Sequence, residues 1–201
     1  MSDIKKLEDK SLEIIKNSLD LGFEGVSFSG GKDSLLLLHL ARKIRPDIPG
    51  FFVNTGAEDP SVLRLVKNTP NIIYLYPKMD IKSCIKNLGY PVFSKEISEF
   101  VYQYRLGLVN RGVKLNSDFH FLFRAPFVIS HRCCDELKKK PAHKYKLMIG
   151  NKISDSYLRK TTISRYGVIN KNKAYPISYW NNFEVLFYLQ RNNIKLPVYF
   201  R

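Results

Sequence analysis

The chain has little cysteine, one tryptophan and no long apolar run, and each shortage closes a class of explanation. Three cysteines in 201 residues, Cys84, Cys133 and Cys134, do not make a disulfide framework, so a reducing, cytoplasmic setting is expected. Even the leucine run Leu35–Leu38 is far too short to span a bilayer, and no membrane partner is expected. The opening Met1-Ser2-Asp3-Ile4-Lys5-Lys6 leads into no apolar stretch of the kind a secretory signal carries. Internal repeats, low-complexity tracts and linkers are missing as well, which leaves one domain over residues 1–201 as the expectation. Acid is scarce in the second half. Residues 1–100 hold 14 Lys and Arg against 13 Asp and Glu; residues 101–201 hold 19 against 5, nearly all of the net +15. Such a one-sided excess suits a polyanion, nucleic acid above all, or equally the solubility charge of a lysine-rich surface.

What the chain does hold is Ser29-Gly30-Gly31-Lys32-Asp33-Ser34, directly after the apolar Val26-Ser27-Phe28 and before the leucine-rich stretch from Leu35 to Ile44. That order reads as strand, glycine turn and helix start. Such a junction points backbone N–H groups and the positive end of a helix dipole at one spot, which suits a phosphate. Glycine at 30 and 31 permits φ > 0 and lets the backbone approach an anion that a Cβ would hold away. Lys32 adds a charge, Ser29 and Ser34 add hydroxyls, and Asp33 can cap the helix or hold Mg²⁺. A plain βα turn needs none of these side chains. The spacing is not that of a Walker A loop, because counting from Gly25 puts Gly31 where its lysine should stand.

Along the chain, apolar residues at helical spacing over 3–20 predict a leading helix that packs on a sheet. Strands follow at 26–29, 50–54 and 72–76, and helices at 34–45, from Asp59-Pro60 onward, and up to Leu88. This alternation predicts an α/β fold, one doubly wound, Rossmann-like and mostly parallel sheet flanked by helices. The loops 29–34 and 54–59 then leave the carboxyl ends of their strands, where open parallel sheets bind ligands, and can converge on one of them. The second half is less regular. A helix is read at 94–109, loop with short elements at 110–131, and a helix from Cys133 to Lys146 interrupted near Pro141. A strand at 146–149, a helix opening at 155–159 and a last helix capped by Asn181 or Asn182 complete the pattern. Trp180 reads as a core anchor.

The glycine turn resembles the PP-loop of the adenine-nucleotide α-hydrolase superfamily, also called HUP-type domains, whose ATP-using members cut between the α and β phosphates. Four further segments resemble the phosphoadenosine phosphosulfate reductase family, in its order. Asn54-Thr55-Gly56-Ala57-Glu58-Asp59-Pro60 is similar to "NTGxExP", and Gly89-Tyr90-Pro91 with Ser94-Lys95 to "GxPxxSK". Gly150-Asn151-Lys152-Ile153-Ser154-Asp155-Ser156-Tyr157-Leu158-Arg159 is similar to "GxRxxESxxR", with Lys152 and Asp155 replacing Arg and Glu. Tyr175-Pro176-Ile177 and Trp180 to Val185 are similar to "PIxxWxxxDV".

The resemblance implies a nucleotide site made of Ser29, Gly30, Gly31, Lys32, Asp33, Ser34, Asn54, Thr55, Gly56, Glu58, Lys95, Gly150, Lys152, Asp155, Ser156 and Arg159. Lys32 and Arg159 are its expected catalytic cations, and ATP or phosphoadenosine phosphosulfate its ligand, with Mg²⁺ through Asp33. By their residue types alone, Lys95, Lys152 and Arg159 supply cations for phosphate, whereas Asp155 and Ser156 serve equally well as helix caps. Sulfonucleotide reductases attack with a cysteine in a C-terminal segment resembling "ECGLH", and nothing in this sequence matches it. Arg132-Cys133-Cys134-Asp135 resembles the paired-cysteine segment of the cluster-bearing reductases, but one chain with three cysteines lacks the four thiolates of a [4Fe–4S] centre. Cys84 reads as core. Cys133 and Cys134, beside Arg132 and Lys138–Lys140, would have lowered thiol pKa values if exposed and are candidates to carry sulfur. His120, His131 and His143 show no zinc spacing with them.

The expected activity is attack on the α-phosphorus of ATP, adenylating an acceptor that includes nucleic acid destined for sulfur insertion. The alternatives are a sulfonucleotide reductase or sulfur-transfer protein working through Cys133, Cys134 or a partner's thiol, and a nucleotide-binding regulatory subunit without turnover.

Overall fold

A computed structural model describes residues 2–109 and 116–197, so part of the loop read at 110–131 lies outside the described residues. The chain divides into two compact units. The first takes in the chain up to Phe52, Glu58–Leu75 and the chain from Lys144; the second comprises Val53–Ala57 and Tyr76–His143.

In the first unit, strands β1 (Gly25–Ser27), β2 (Gly50–Val53), β3 (Ile72–Leu75), β4 (Leu147–Met148) and β5 (Lys173–Ala174) form one sheet in the order β3-β2-β1-β4-β5. The pairings of β1 with β2, β1 with β4 and β4 with β5 are parallel. An antiparallel bridge pairs Ile169 with Ala174 of β5. The chain therefore winds outward from β1 in one direction, then returns and winds outward in the other. The doubly wound α/β expectation holds, and the reversal lies between β1 and β4, where Val26 pairs with Met148. That is the position at which open parallel sheets bind ligands.

Helix α1 (Ser2–Asp20) packs on α2 (Lys32–Ile44), and α2 on the last helix of the chain, Asn182–Arg191. The stripe read on α1 is real: Ile14 and Ile15 are buried, and Ile4, Leu7 and Leu19 pack against the same core. That core is Val26, Phe28, Leu36, Leu37, Leu40, Phe52, Met148 and Ile177, with Trp180 fully buried among them. The Trp180 indole donates to Ser11 Oγ at 2.8 Å, so the ring anchors α1 as well as filling space. Helix α3 (Pro60–Lys67) starts as read, with proline at its first position and Asp59 accepting the Ser61 N–H at 2.7 Å.

The second unit holds α4 (Ile81–Leu88) and α5 (Lys95–Arg105), capped by Asp80 and Ser94. A 3₁₀ segment follows at Ser117–Arg124. The Arg105 guanidinium holds this segment by donating to the carbonyls of Leu122, Ala125 and Phe127. The helix read from Cys133 is shorter and less regular: α6 (Arg132–Cys134), a π segment Asp135–Lys139 and α7 (Lys140–Ala142). It ends just after Pro141 rather than at Lys146, with Pro141 in the first turn of α7, where a missing N–H is tolerated.

Candidate functional site

The glycine turn sits at the carboxyl end of β1, and α2 starts on it at Lys32. Gly30 has φ +74°, the left-handed region that favours glycine, and an added Cβ would stand 2.8 Å from Val62 Cγ1. Gly31 does not use the freedom read from the sequence: it is extended, at φ −79° and ψ 162°. Neither serine hydroxyl is simply left for a ligand. Ser34 Oγ donates to the Gly31 carbonyl at 2.9 Å and accepts the Ser29 N–H at 3.2 Å, bracing the turn. Ser29 Oγ accepts the Gly31 N–H at 3.4 Å and lies 3.2 Å from Ser34 Oγ.

No side chain caps α2. Asp33 lies inside the helix and does not cap it, although its residue type would suit a cap. Its carboxylate is turned to the side, onto Lys32 at 3.0 Å and Lys152 at 2.6 Å. The first N–H groups of α2 therefore have neither an intrahelical partner nor a capping oxygen. By contrast α3, α4 and α5 each carry a capping side chain.

From the carboxyl end of β4 comes the second wall. Gly150 lies so close to α2 that a Cβ there would meet Asp33 C at 3.1 Å and Ser34 N at 3.3 Å. Backbone cannot yield as a side chain can, so glycine is needed for the two loops to touch. Lys152 follows, with no exposed surface at all. Its ammonium stands between Asp33 Oδ1 at 2.6 Å and Asp155 Oδ1 at 3.0 Å. Both are contacts of charge, since the ammonium makes no hydrogen bond of regular geometry to either carboxylate. Asp155 also accepts the Lys152 N–H at 3.0 Å and pairs with Arg159. Burial pushes the Asp155 carboxyl up, but the Lys152 ammonium, the Lys152 N–H and the Arg159 charge outweigh it and hold it below the usual carboxylate range.

The side chains thus alternate in charge: Lys32, Asp33, Lys152, Asp155, Arg159. Three cations against two carboxylates leave an excess of one positive charge beside an uncapped helix start. Lys152, read as a phosphate cation, is instead the buried counter-ion that fixes both carboxylates. Of the three cations, Lys32 and Arg159 are the accessible ones, with side chains 23% and 44% exposed against none for Lys152. Ser156 is a cap, accepting the Arg159 N–H at 3.2 Å at the start of α8 (Tyr157–Tyr166).

The structure brings Ser29 to Ser34, Gly150, Lys152, Asp155, Ser156 and Arg159 together in the first unit, to which Glu58 also belongs. Asn54, Thr55, Gly56 and Lys95 belong to the second. There Asn54 Oδ1 accepts the Gly56 N–H at 3.0 Å, and Thr55 Oγ1 accepts the Ala57 N–H at 3.4 Å, so both side chains shape their turn. Both Asp33 oxygens are held by ammonium groups, and among the described residues no three His, Cys, Asp or Glu side chains gather for a metal. With both oxygens taken by ammonium groups, Asp33 is not prepared as a Mg²⁺ ligand.

The cysteines are in the second unit, in one apolar cluster of Cys84, Cys133 and Leu137 with Cys134 against it. Cys84 is core, as read. The low thiol pKa expected of an exposed pair does not apply to Cys133: burial, with Cys134 and Cys84 beside it, pushes it up to about 11. The neighbouring lysines are engaged elsewhere, Lys139 on Asp135 at 2.6 Å and Lys140 on Glu136.

Among the described residues no helix is long and apolar enough to cross a membrane. A phosphoadenylyl-sulfate (PAPS) reductase of Candida auris, solved as a phosphate complex, has the same fold at a TM-score of 0.55 and 14% identity. The match covers 98% of this chain and 89% of that one. The U34-tRNA thiolase NcsA of Methanococcus maripaludis, solved with its [4Fe-4S] cluster, matches at a TM-score of 0.45 and 15% identity, over 97% of this chain and 66% of that one. An uncharacterized protein of Methanocaldococcus jannaschii is 41% identical over 69 residues, 32% of this chain and only 17% of that protein's length. The model of the phosphoadenosine phosphosulfate reductase domain matches residues 25–201. The chain belongs to the phosphoadenosine phosphosulfate reductase domain family.

Proposed function

We propose that the protein is an enzyme that binds ATP at the turn of residues 30–34 and transfers its adenylyl group to an acceptor. The observation that carries this reading is the uncapped start of α2, placed by Gly30 and Gly150 at the reversal between β1 and β4. Bare N–H groups and a positive helix end suit a pyrophosphate better than any neutral ligand. The charge chain supports the same conclusion, since it places an accessible cation at each end while Lys152 holds the intervening carboxylates in place.

An acceptor oxygen forms a bond to the α-phosphorus. The bond from that phosphorus to the oxygen bridging the β-phosphate breaks, and pyrophosphate leaves with the electron pair. The acceptor's proton goes to solvent. Negative charge grows on the leaving pyrophosphate, where the N–H groups of Lys32 and Asp33, the Lys32 ammonium and the Arg159 guanidinium stabilise it.

Family membership keeps one rival in view, reduction of a sulfonucleotide. A buried Cys133 thiol pushed up to about 11 is a poor nucleophile at neutral pH and counts against it. The test is product analysis with purified protein. Pyrophosphate released from ATP with a candidate acceptor supports the proposal. Sulfite released from phosphoadenosine phosphosulfate replaces it with reduction, and tight nucleotide binding with neither product makes the chain a regulatory subunit.

A further inference from the structure

We infer that helix α8 and the acid-free segment after it form a face that binds an unpaired loop of RNA. Only the placing of that RNA as the adenylyl acceptor rests on the proposed ATP site; the binding itself does not.

The first observation is how little α8 buries. Of its ten residues only Ile163 is buried, while Tyr157, Leu158 and Tyr166 are 84%, 73% and 59% exposed. A helix this short draws most of its stability from an apolar stripe packed on the protein, and α8 has almost none. At about 100° per residue, Tyr157, Leu158, Thr161 and Arg165 fall within one arc, opposite Ile163. The hydroxyls of Thr161 and Thr162 are turned onto the helix, donating to the Tyr157 and Leu158 carbonyls at 2.8 Å. What the arc offers a partner is therefore an aromatic ring, an aliphatic group and a guanidinium.

Charge is the second observation. Residues 156–183 contain five Lys and Arg and no Asp or Glu. The lysine run at 138–140 is different, because Lys139 and Lys140 are already paired with acids one turn away. The unopposed positive charge of the second half thus includes α8. Cations alone suit any polyanion, but the rings narrow the choice. A duplex hides the faces of its bases, whereas looped RNA exposes them for stacking on aromatic side chains, with phosphates alongside for Arg and Lys.

Position gives the third. Helix α8 begins at Tyr157, and Arg159 in its first turn pairs with Asp155, which also holds Lys152. RNA lying along α8 consequently runs onto the carboxyl edge of β1 and β4, where an acceptor of adenylyl transfer must come.

The experiment uses the whole chain and fluorescence anisotropy with a labelled RNA hairpin, compared with blunt RNA and DNA duplexes of the same length. The hairpin should bind more tightly than either duplex. Tyr157→Ala should weaken hairpin binding about five- to 100-fold and leave duplex binding unchanged. Lys160→Ala with Arg165→Ala should lower the slope of log affinity against log salt by about 1.4, and Lys139→Ala should not. ATP affinity, followed in parallel by calorimetry, should be the same in every variant. If the protein binds RNA in this way but not ATP, this inference stands and the ATP reading falls. Equal binding of hairpin and duplexes, no effect of Tyr157→Ala, or no RNA binding at low salt would overturn it. So would an acidic protein partner that needs Tyr157 and excludes the hairpin.

Discussion

Replacing Lys152 by methionine should destabilise the protein strongly, and the loss should depend on pH in a sense that other causes do not produce. The ammonium has no exposed surface and stands 2.6 Å from Asp33 and 3.0 Å from Asp155. Methionine fills much the same space, so no large cavity opens. What remains are two carboxylates that have lost their shared counter-ion. Removing one partner of a buried pair costs about 3–5 kcal/mol. Here the carboxylate side chains retain 25% and 16% exposure, so water relieves part of it and about 2–4 kcal/mol is expected. For a chain of this size that lowers Tm by about 5–15 °C. In the parent, Asp155 is an acid held below its ordinary range. Its contribution is complete above the unfolded value of about 3.9 and is lost as pH falls through the folded value. Without Lys152 much of that contribution disappears, so the gap between parent and variant should be widest near neutral pH and close below about pH 4. Calorimetric unfolding across pH measures it directly. A Tm within about 2 °C of the parent at neutral pH, or a gap that does not change with pH, would refute the argument.

Other expectations follow from single residues. Gly31→Val should fold normally, since φ −79° and ψ 162° suit valine, yet lose ATP affinity in calorimetry about 100-fold or more as its branches occupy the anion's place. Gly150→Ala should do the opposite first, losing about 1–3 kcal/mol in urea unfolding because its Cβ meets Asp33 backbone at 3.1 Å. Iodoacetamide on the native protein should label Cys134 before Cys133, whose thiol is pushed up to about 11, as peptide mass spectrometry can show. Trp180→Phe should cost about 1–2 kcal/mol through the lost bond to Ser11, with ATP binding retained.

The strand, turn and helix around Ser29–Ser34, the stripe of α1 and the alternation that makes a doubly wound sheet are legible in the order of the residues. These are local facts: glycine, proline and apolar spacing act over a few residues, and backbone sterics read them without reference to the rest of the chain. Residue types also set Trp180 in the core and a cap at Asn181 or Asn182; the folded chain uses Asn181, which accepts the Glu184 N–H at 3.0 Å. Pairings across long separations emerge only when the chain folds. Lys152 reads as one more cation for phosphate until β4 is laid beside β1, which brings it to Asp33 and removes it from water. Cys133 reads as a reactive thiol beside lysines until burial against Cys84 raises its pKa and the lysines turn to Asp135 and Glu136. The bareness of α8 is likewise invisible in its composition, because exposure depends on which neighbours the fold supplies. Charge and burial are properties of the surroundings, and residues brought together from across the chain make those surroundings.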